Sequence, residues 1–234
     1  DYIRELFPEA RVARMDLDTT RTRKAYERLI GDFASGKTNL LVGTQMISKG
    51  LDFDKVSVVG ILNADTMLNM PDFRAYEYAF AMMAQVSGRA GRKGHQGMVY
   101  LQTRNPDLPV IQQVVHNDFK GFYRGVLEER KLFSYPPFTH VVNVFLKHRK
   151  DKVVESAALE VGSRLRTVFG DRVLGPDKPS VARVKQQFIR KLILKMETGL
   201  DYKKMRLYLR QTQAELMKDK RYGALTVYYD VDPQ

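Results

Sequence analysis

The residues best equipped for chemistry in this chain are Arg89 and Arg92, which close the stretch Gln85-Val86-Ser87-Gly88-Arg89-Ala90-Gly91-Arg92. They lie three residues apart at the end of an expected helix, so both project from one side of it. A guanidinium stays charged at any working pH and meets phosphate oxygens through two parallel hydrogen bonds. During phosphoryl transfer negative charge spreads over the γ-phosphate, where a positioned arginine is worth roughly 10³–10⁵ in rate. Gly88 and Gly91 carry no side chain, which lets the helix end pass close to a nucleotide and a facing domain. Gln85 adds an amide that can sense or position the nucleotide. Taken alone, a Gly-Arg repeat reads equally well as a basic surface loop.

The elements ahead of it change that balance. Leu40-Leu41-Val42 is a short apolar run suited to a buried parallel strand. Gly43-Thr44 follows at its carboxyl end, where open α/β sheets place their ligand-binding loops. The loop continues as Gln45-Met46-Ile47-Ser48-Lys49-Gly50-Leu51-Asp52-Phe53. It can couple nucleotide contacts, for which Gly50 and Asp52 are the candidates, to strand phosphates, for which Gly43, Thr44 and Lys49 are the candidates. A Gly-Thr after a strand is commonly structural. The ordered pair of stretches, about forty residues apart with a strand and a helix between, resembles the last two motifs of a superfamily 2 helicase motor. Such motifs complete an ATP site that one domain cannot build alone.

The intervening residues narrow the resemblance. Pro71-Asp72-Phe73-Arg74-Ala75-Tyr76-Glu77 opens a helix that runs through Phe80, Met83 and Val86 into the arginine stretch. Further on stand Tyr135-Pro136-Pro137-Phe138 and Gly175-Pro176-Asp177-Lys178-Pro179. In order and spacing these resemble the bacterial replication-restart helicases of the PriA, or primosomal protein N′, family, over nearly the whole chain. The resemblance implies an ATP- and Mg²⁺-dependent 3′→5′ DNA helicase that recognises stalled forks and starts primosome assembly. Arg92 would be the finger and Arg89 a second phosphate contact. It further implies branched and single-stranded DNA, primosome proteins and the acidic tail of single-strand DNA-binding protein as partners, and a cytoplasmic location. Other remodelling or RNA helicases share the Gln-x-x-Gly-Arg pattern, but they leave the later motifs unexplained.

Composition bounds this reading. The 234 residues can hold two domains with real cores, and 44% apolar content is ordinary for globular chains. No apolar run is long enough for a transmembrane helix, and no signal peptide opens the chain. Without cysteine there is neither a disulfide nor a cysteine zinc site. The family resemblance implies zinc-binding cysteines in an insertion of the second motor domain, so the expectation is a chain that begins downstream of it. Asp1-Tyr2-Ile3-Arg4-Glu5-Leu6-Phe7-Pro8 reads as the tail of an amphipathic helix rather than a natural start. No Gly-x-x-x-x-Gly-Lys-Ser/Thr phosphate loop and no Asp-Glu-x-His motif occur. The expectation is a C-terminal helicase fragment that does not hydrolyse ATP by itself.

Organisation follows hydrophobic period. Residues 1–106 read as a RecA-like α/β lobe: strands near 11–16, 39–43, 57–62 and 97–103, a helix capped by Asp18-Thr19-Thr20 with Ala25, Leu29 and Phe33 on one face, and a helix over 73–88. Its methionines Met82 and Met83 read as core. Residues 107–134 predict two connecting helices, and Tyr135-Pro136-Pro137-Phe138 predicts an extended entrance to the next domain. Residues 135–234 read β-α-β-β-α-β, a ferredoxin-like split βαβ order, with Leu159, Leu165 and Val168 expected on the buried face of the first helix.

Charge is uneven along the chain. The net charge is +12, and residues 1–115 hold 15 Lys and Arg against 13 Asp and Glu, whereas residues 116–234 hold 24 against 14. Arg183, Lys185, Arg190, Lys191, Lys195, Lys203, Lys204 and Arg206 concentrate this charge around a hairpin and the start of the last helix. Two readings stand: ordinary solubilising charge, or a platform for branched DNA or an acidic protein tail. A chain acting purely as a DNA- or partner-binding module, with no enzymatic role, is the rival from a different class. His95, His116, His140 and His148 lack ligand spacing, so no metal site is expected.

Overall fold

Ala13 and Met15 alternate with outward residues and are buried, which seats β1 (Val12–Met15) beside β2 (Leu40–Gly43) as a parallel pair. The computed structural model describes residues 2–44, 56–88, 90 and 97–233. A five-residue helix, α1 (Tyr2–Leu6), precedes β1. After β1 the Asp16 carboxylate accepts from the Thr19 amide at 2.9 Å, and the Thr20 hydroxyl donates to the Asp16 carbonyl at 2.5 Å. That turn consumes the residues expected to cap the next helix. The cap of α2 (Arg23–Ala34) is instead Thr22, whose hydroxyl accepts from the Ala25 amide.

A second parallel pair joins β3 (Val58–Ile61) to β4 (Met98–Leu101). Between them run α3 (Asp65–Leu68) and α4 (Ala75–Ser87), the latter burying Ala75, Ala79, Phe80 and Met83, with Met82 half-buried. Among the described residues the two ladders remain separate pairs, so the expected parallel character is present pair by pair. Then come α5 (Pro109–Val115) and α6 (Phe119–Leu132), the two helices expected between the domains. Phe122 stacks on Phe80 at 4.1 Å between centroids. Compact units divide at 122/123, inside α6.

The second unit contains β5 (Thr139–His148), α7 (Asp151–Phe169), β6 (Val173–Asp177), β7 (Arg183–Val184), β8 (Gln187–Glu197), α8 (Tyr202–Leu216) and β9 (Thr226–Val231). The antiparallel sheet runs β6-β8-β5-β9, with β7 added as a short hairpin to β8, which is the expected split βαβ order. Val142, Val144 and Leu146 of β5 and Leu192 and Leu194 of β8 meet Val154, Ala158, Leu165, Leu209 and Leu216 in one core. Asp201 caps α8 by accepting from the Lys203 and Lys204 amides. Gly175 of the Gly-Pro element has φ +86, and a Cβ there would lie 2.8 Å from the Lys191 carbonyl oxygen. Glycine is what lets β6 bulge against β8.

Two expectations are corrected. Leu159 and Val168 are each 54% exposed, while Val154, Ala157, Ala158, Val161 and Leu165 form the buried stripe of α7. Small Ala157 and Ala158 set the phase of the helix by allowing close approach to the sheet, which turns Leu159 outward. Tyr135-Pro136-Pro137-Phe138 is a turn, not an extended segment, for the Phe138 amide donates to the Tyr135 carbonyl at 3.1 Å across a cis Pro136–Pro137 bond. The corrected phase predicts that Leu165→Ala lowers unfolding free energy by about 2–5 kcal/mol. Leu159→Ala should stay within about 0.5 kcal/mol. Urea unfolding of both variants checks this, and equal losses would contradict the stated phase.

Candidate nucleotide and nucleic-acid interfaces

Of the two stretches expected to meet a nucleotide, the structure describes the flanks. Gly43 ends β2 and Thr44 follows it, both exposed. Gln85 is exposed on the last turn of α4, and Gly88 caps that helix by donating to the Ala84 carbonyl at 3.0 Å. Lys49, Gly50, Asp52, Arg89 and Arg92 lie outside the described residues. The first turn of α4 is anchored through Arg74, whose guanidinium pairs with Asp72 at 3.1 Å and lies 5.0 Å from the Phe73 ring and 5.4 Å from that of Tyr78. This hydrogen bond, offset by partial burial, holds the Arg74 guanidinium more firmly protonated than usual. Arg74 of the Pro-Asp-Phe-Arg-Ala element therefore reads as a helix anchor.

Sequence reasoning passed over a latch at the carboxyl ends of β3 and β4. Asp65 accepts from the Thr103 hydroxyl at 2.5 Å and from the Arg104 amide at 3.0 Å, while the Ala64 amide donates to the Gln102 carbonyl at 3.0 Å. The Thr103 bond first, and the Arg104 amide second, hold the Asp65 carboxyl below its ordinary range. An Asp directly after one strand and a Thr-Arg after its parallel neighbour were the available signal.

In the second unit the candidate cations divide. Arg190 is 3% exposed on the helix side of β8, donating to Asp151 at 2.6 Å and to Glu155. Burial opposes its charge, but the two carboxylates outweigh that and hold it more firmly protonated. It belongs to the core rather than to a platform, and its pairing is a correction. Lys195 lies 3.8 Å from the Tyr135 ring centroid and donates to the Phe133 carbonyl, so it braces the Tyr-Pro-Pro-Phe turn. Burial lowers its pKa. Arg183 and Lys185 stand exposed at the β7–β8 hairpin, where Lys185 and Gln186 have φ +46 and +64, as a two-residue turn of that twist requires. Lys191 sits half-buried on the sheet face opposite the helices, whereas Lys203, Lys204 and Arg206 are exposed on α8. The expected single platform is thus spread over a hairpin tip, a helix and the opposite sheet face.

A cleft of about 690 Å³ opens between α8 and β9, lined by His140, Tyr202, Arg206, Arg210, Gln213 and Asp232 among others. His140 Nδ1 lies 2.5 Å from the Asp232 carboxylate, which also accepts from the Val141 amide at 2.9 Å. Asp232 adopts φ +47 to make both contacts. Arg206 and Arg210 lie one turn apart at the cleft, and neither makes an ion pair among the described residues. Two guanidiniums over an apolar floor of Met205 and Leu209 suit a carboxylate-bearing, partly apolar ligand. Among the described residues no three His, Asp or Glu groups are placed to hold a metal ion, and no helix is long and apolar enough to cross a membrane.

Residues 1–94 match the helicase conserved C-terminal domain, and residues 131–234 match the primosomal protein N C-terminal domain. The replication restart protein PriA of Bacillus subtilis is 39% identical over 197 residues, covering 83% of this chain and 24% of that protein. This chain belongs to the PriA family. PriA of Synechocystis is 37% identical over 97% of the chain and 26% of its own length, and PriA of Haemophilus influenzae 33% identical over 100% and 32%. The chain therefore spans about a quarter to a third of the length of these PriA relatives. A structure of the C-terminal domain of the DEAD-box protein Dbp5 aligns over 52% of the chain and 61% of its own at 21% identity and a TM-score of 0.36, too loose to add to the assignment.

The Asp65 latch has a pH signature. Because the folded carboxyl titrates below its ordinary value of 3.8, its contribution is fully present above that value and is lost as pH falls through the folded one. Asp65→Asn should melt at a lower temperature than the native chain at pH 7, and the gap should close as the pH falls below the ordinary carboxylate range. Thermal unfolding by circular dichroism reads both curves, and a gap independent of pH would remove the carboxylate from the latch.

Proposed function

We propose that this chain is the second motor lobe and C-terminal domain of an ATP-dependent 3′→5′ DNA helicase that recognises stalled or branched forks and initiates primosome assembly. The observation that carries the reading is the order, in one chain, of a helicase conserved C-terminal domain and a primosomal protein N C-terminal domain. Gln85, exposed where α4 leads toward Arg89 and Arg92, fits an amide presented to a nucleotide. Arg92 is the finger, Arg89 a second phosphate contact, and Gly50 and Asp52 complete the nucleotide side. Gly43, Thr44 and Lys49 contact the DNA backbone. ATP with Mg²⁺ supplies the phosphoryl group, held by a first lobe whose phosphate loop this sequence does not contain. The isolated chain is accordingly inactive as an ATPase. In the full-length helicase Arg92→Ala should lower DNA-stimulated ATP hydrolysis by roughly 10³-fold or more while most DNA binding persists. Native turnover in that variant would refute the finger.

The α8–β9 cleft is the candidate seat for the acidic tail of single-strand DNA-binding protein, since Arg206 and Arg210 offer carboxylate contacts above an apolar floor. Fluorescence anisotropy of the chain with a labelled acidic tail peptide and with forked DNA measures both partners. Arg206→Glu with Arg210→Glu should weaken the peptide on the order of tenfold or more and forked DNA far less. If the native chain bound the peptide and the double variant bound it equally well, the cleft would not be its seat.

A further inference from the structure

Neither the cleft nor the motor motifs use the sheet face opposite α7 and α8. Since residues alternate along β5, Val142, Val144 and Leu146 face the helices while Asn143, Phe145 and Lys147 take the other side. Phe145 is paired across strands with Tyr228 of β9 and with Lys191 of β8. The Phe145 and Tyr228 rings lie 4.9 Å apart and 13° from parallel. The Lys147 ammonium stands 4.5 Å from the Tyr228 centroid and that of Lys191 stands 5.8 Å from the Phe145 centroid. Tyr228 lies on the edge strand and is 36% exposed. Beside the rings, Asn143 is 5% exposed, and its Oδ1 has no hydrogen-bond partner among the described residues. Asp230 of β9, opposite Asn143, bounds the row on that side.

We propose that this face is a stacking site for single-stranded DNA, an inference that rests on the DNA-helicase reading but names a surface that reading leaves unassigned. Four-stranded sheets presenting aromatic rings on a helix-free face are suited to splayed bases. Each base has a π-face, so rings plus cations hold a strand with little regard to sequence. An ammonium resting over an exposed ring is weakly held. Lys147 and Lys191 can move from ring to phosphate as a base extends the Phe145–Tyr228 stack. An acidic peptide would engage the lysines but leave the rings without a role.

The chain contains no tryptophan, so Tyr228→Trp places a single emission reporter at the site. Titration with a short single-stranded DNA of mixed sequence at low salt should quench that emission saturably, and added salt should restore it. Anisotropy with the same labelled strand should show Phe145→Ala binding about tenfold more weakly. Lys147→Glu with Lys191→Glu, at two half-buried positions and checked for folding by circular dichroism, should reduce the salt slope by about one to two. If the strand binds by anisotropy while the reporter stays unmoved and both variants bind like the native chain, the site is overturned. Quenching by an acidic peptide and not by DNA overturns it as well. Absence of any DNA binding by the native chain, forked or single-stranded, overturns instead the DNA reading of the chain and the site with it; the anisotropy of the native chain separates these cases.

Discussion

The C-terminal domain is organised by one constraint, the alternation of side chains along the central strand β5. Val142, Val144 and Leu146 must all be buried, so both α7 and α8 pack against the same face of the sheet. Every other decision follows from that division. On the covered side, Arg190 has no route to water and is held by Asp151 and Glu155 from the start of α7. Asp151, in the first turn, also complements the amino-terminal end of the helix dipole. The pair therefore ties the beginning of α7 to β8, and its two acidic members, each about half-exposed, keep enough solvation to avoid the full cost of a buried ion cluster.

The same division governs which cations act outward. Arg164, Arg172 and Arg221 are paired with Glu160 and Glu215, with Glu197, and with Asp219 respectively, so much of the formal charge of this half is neutralised close to its source. Arg172 and Arg221 are held more firmly charged chiefly by those same side-chain hydrogen bonds. Arg183, Lys185, Arg206 and Arg210 make no ion pair among the described residues. The unpaired cations are therefore distributed over a hairpin tip, one helix face and the sheet face that carries Lys147 and Lys191.

Much of this was legible in the sequence because period and turn chemistry agreed. The β-α-β-β-α-β order could be read from the apolar runs at 140–146 and 188–194 and from Asp201 ahead of a helical pattern. Where reading failed, a local signal was ambiguous and packing decided. Leu159 and Leu165 are alike as residues, and their roles were separated by the adjacent alanines that let α7 approach the sheet. Thr19, Thr20 and Thr22 are equally good caps on paper, and Asp16 claimed the first two for its own turn. Arg190 looked like its basic neighbours, because pairing with residues 35 and 39 positions away leaves no local trace. In the first unit the motifs were legible as residue types, and Gly43, Thr44 and Gln85 are where strand and helix ends were expected.

The position of Gln85 shows how a helix end is set by parts far from it. α4 buries Ala75, Ala79, Phe80 and Met83, a stripe that fixes its rotation, and Phe80 is further locked by stacking on Phe122. Arg74, bound to Asp72 and flanked by the Phe73 and Tyr78 rings, fixes its first turn. With one end anchored and one face committed to the core, the opposite end has little freedom, and Gln85 emerges exposed at a set azimuth. The Pro-Asp-Phe-Arg-Ala element thus acts on Gln85 through the helix between them.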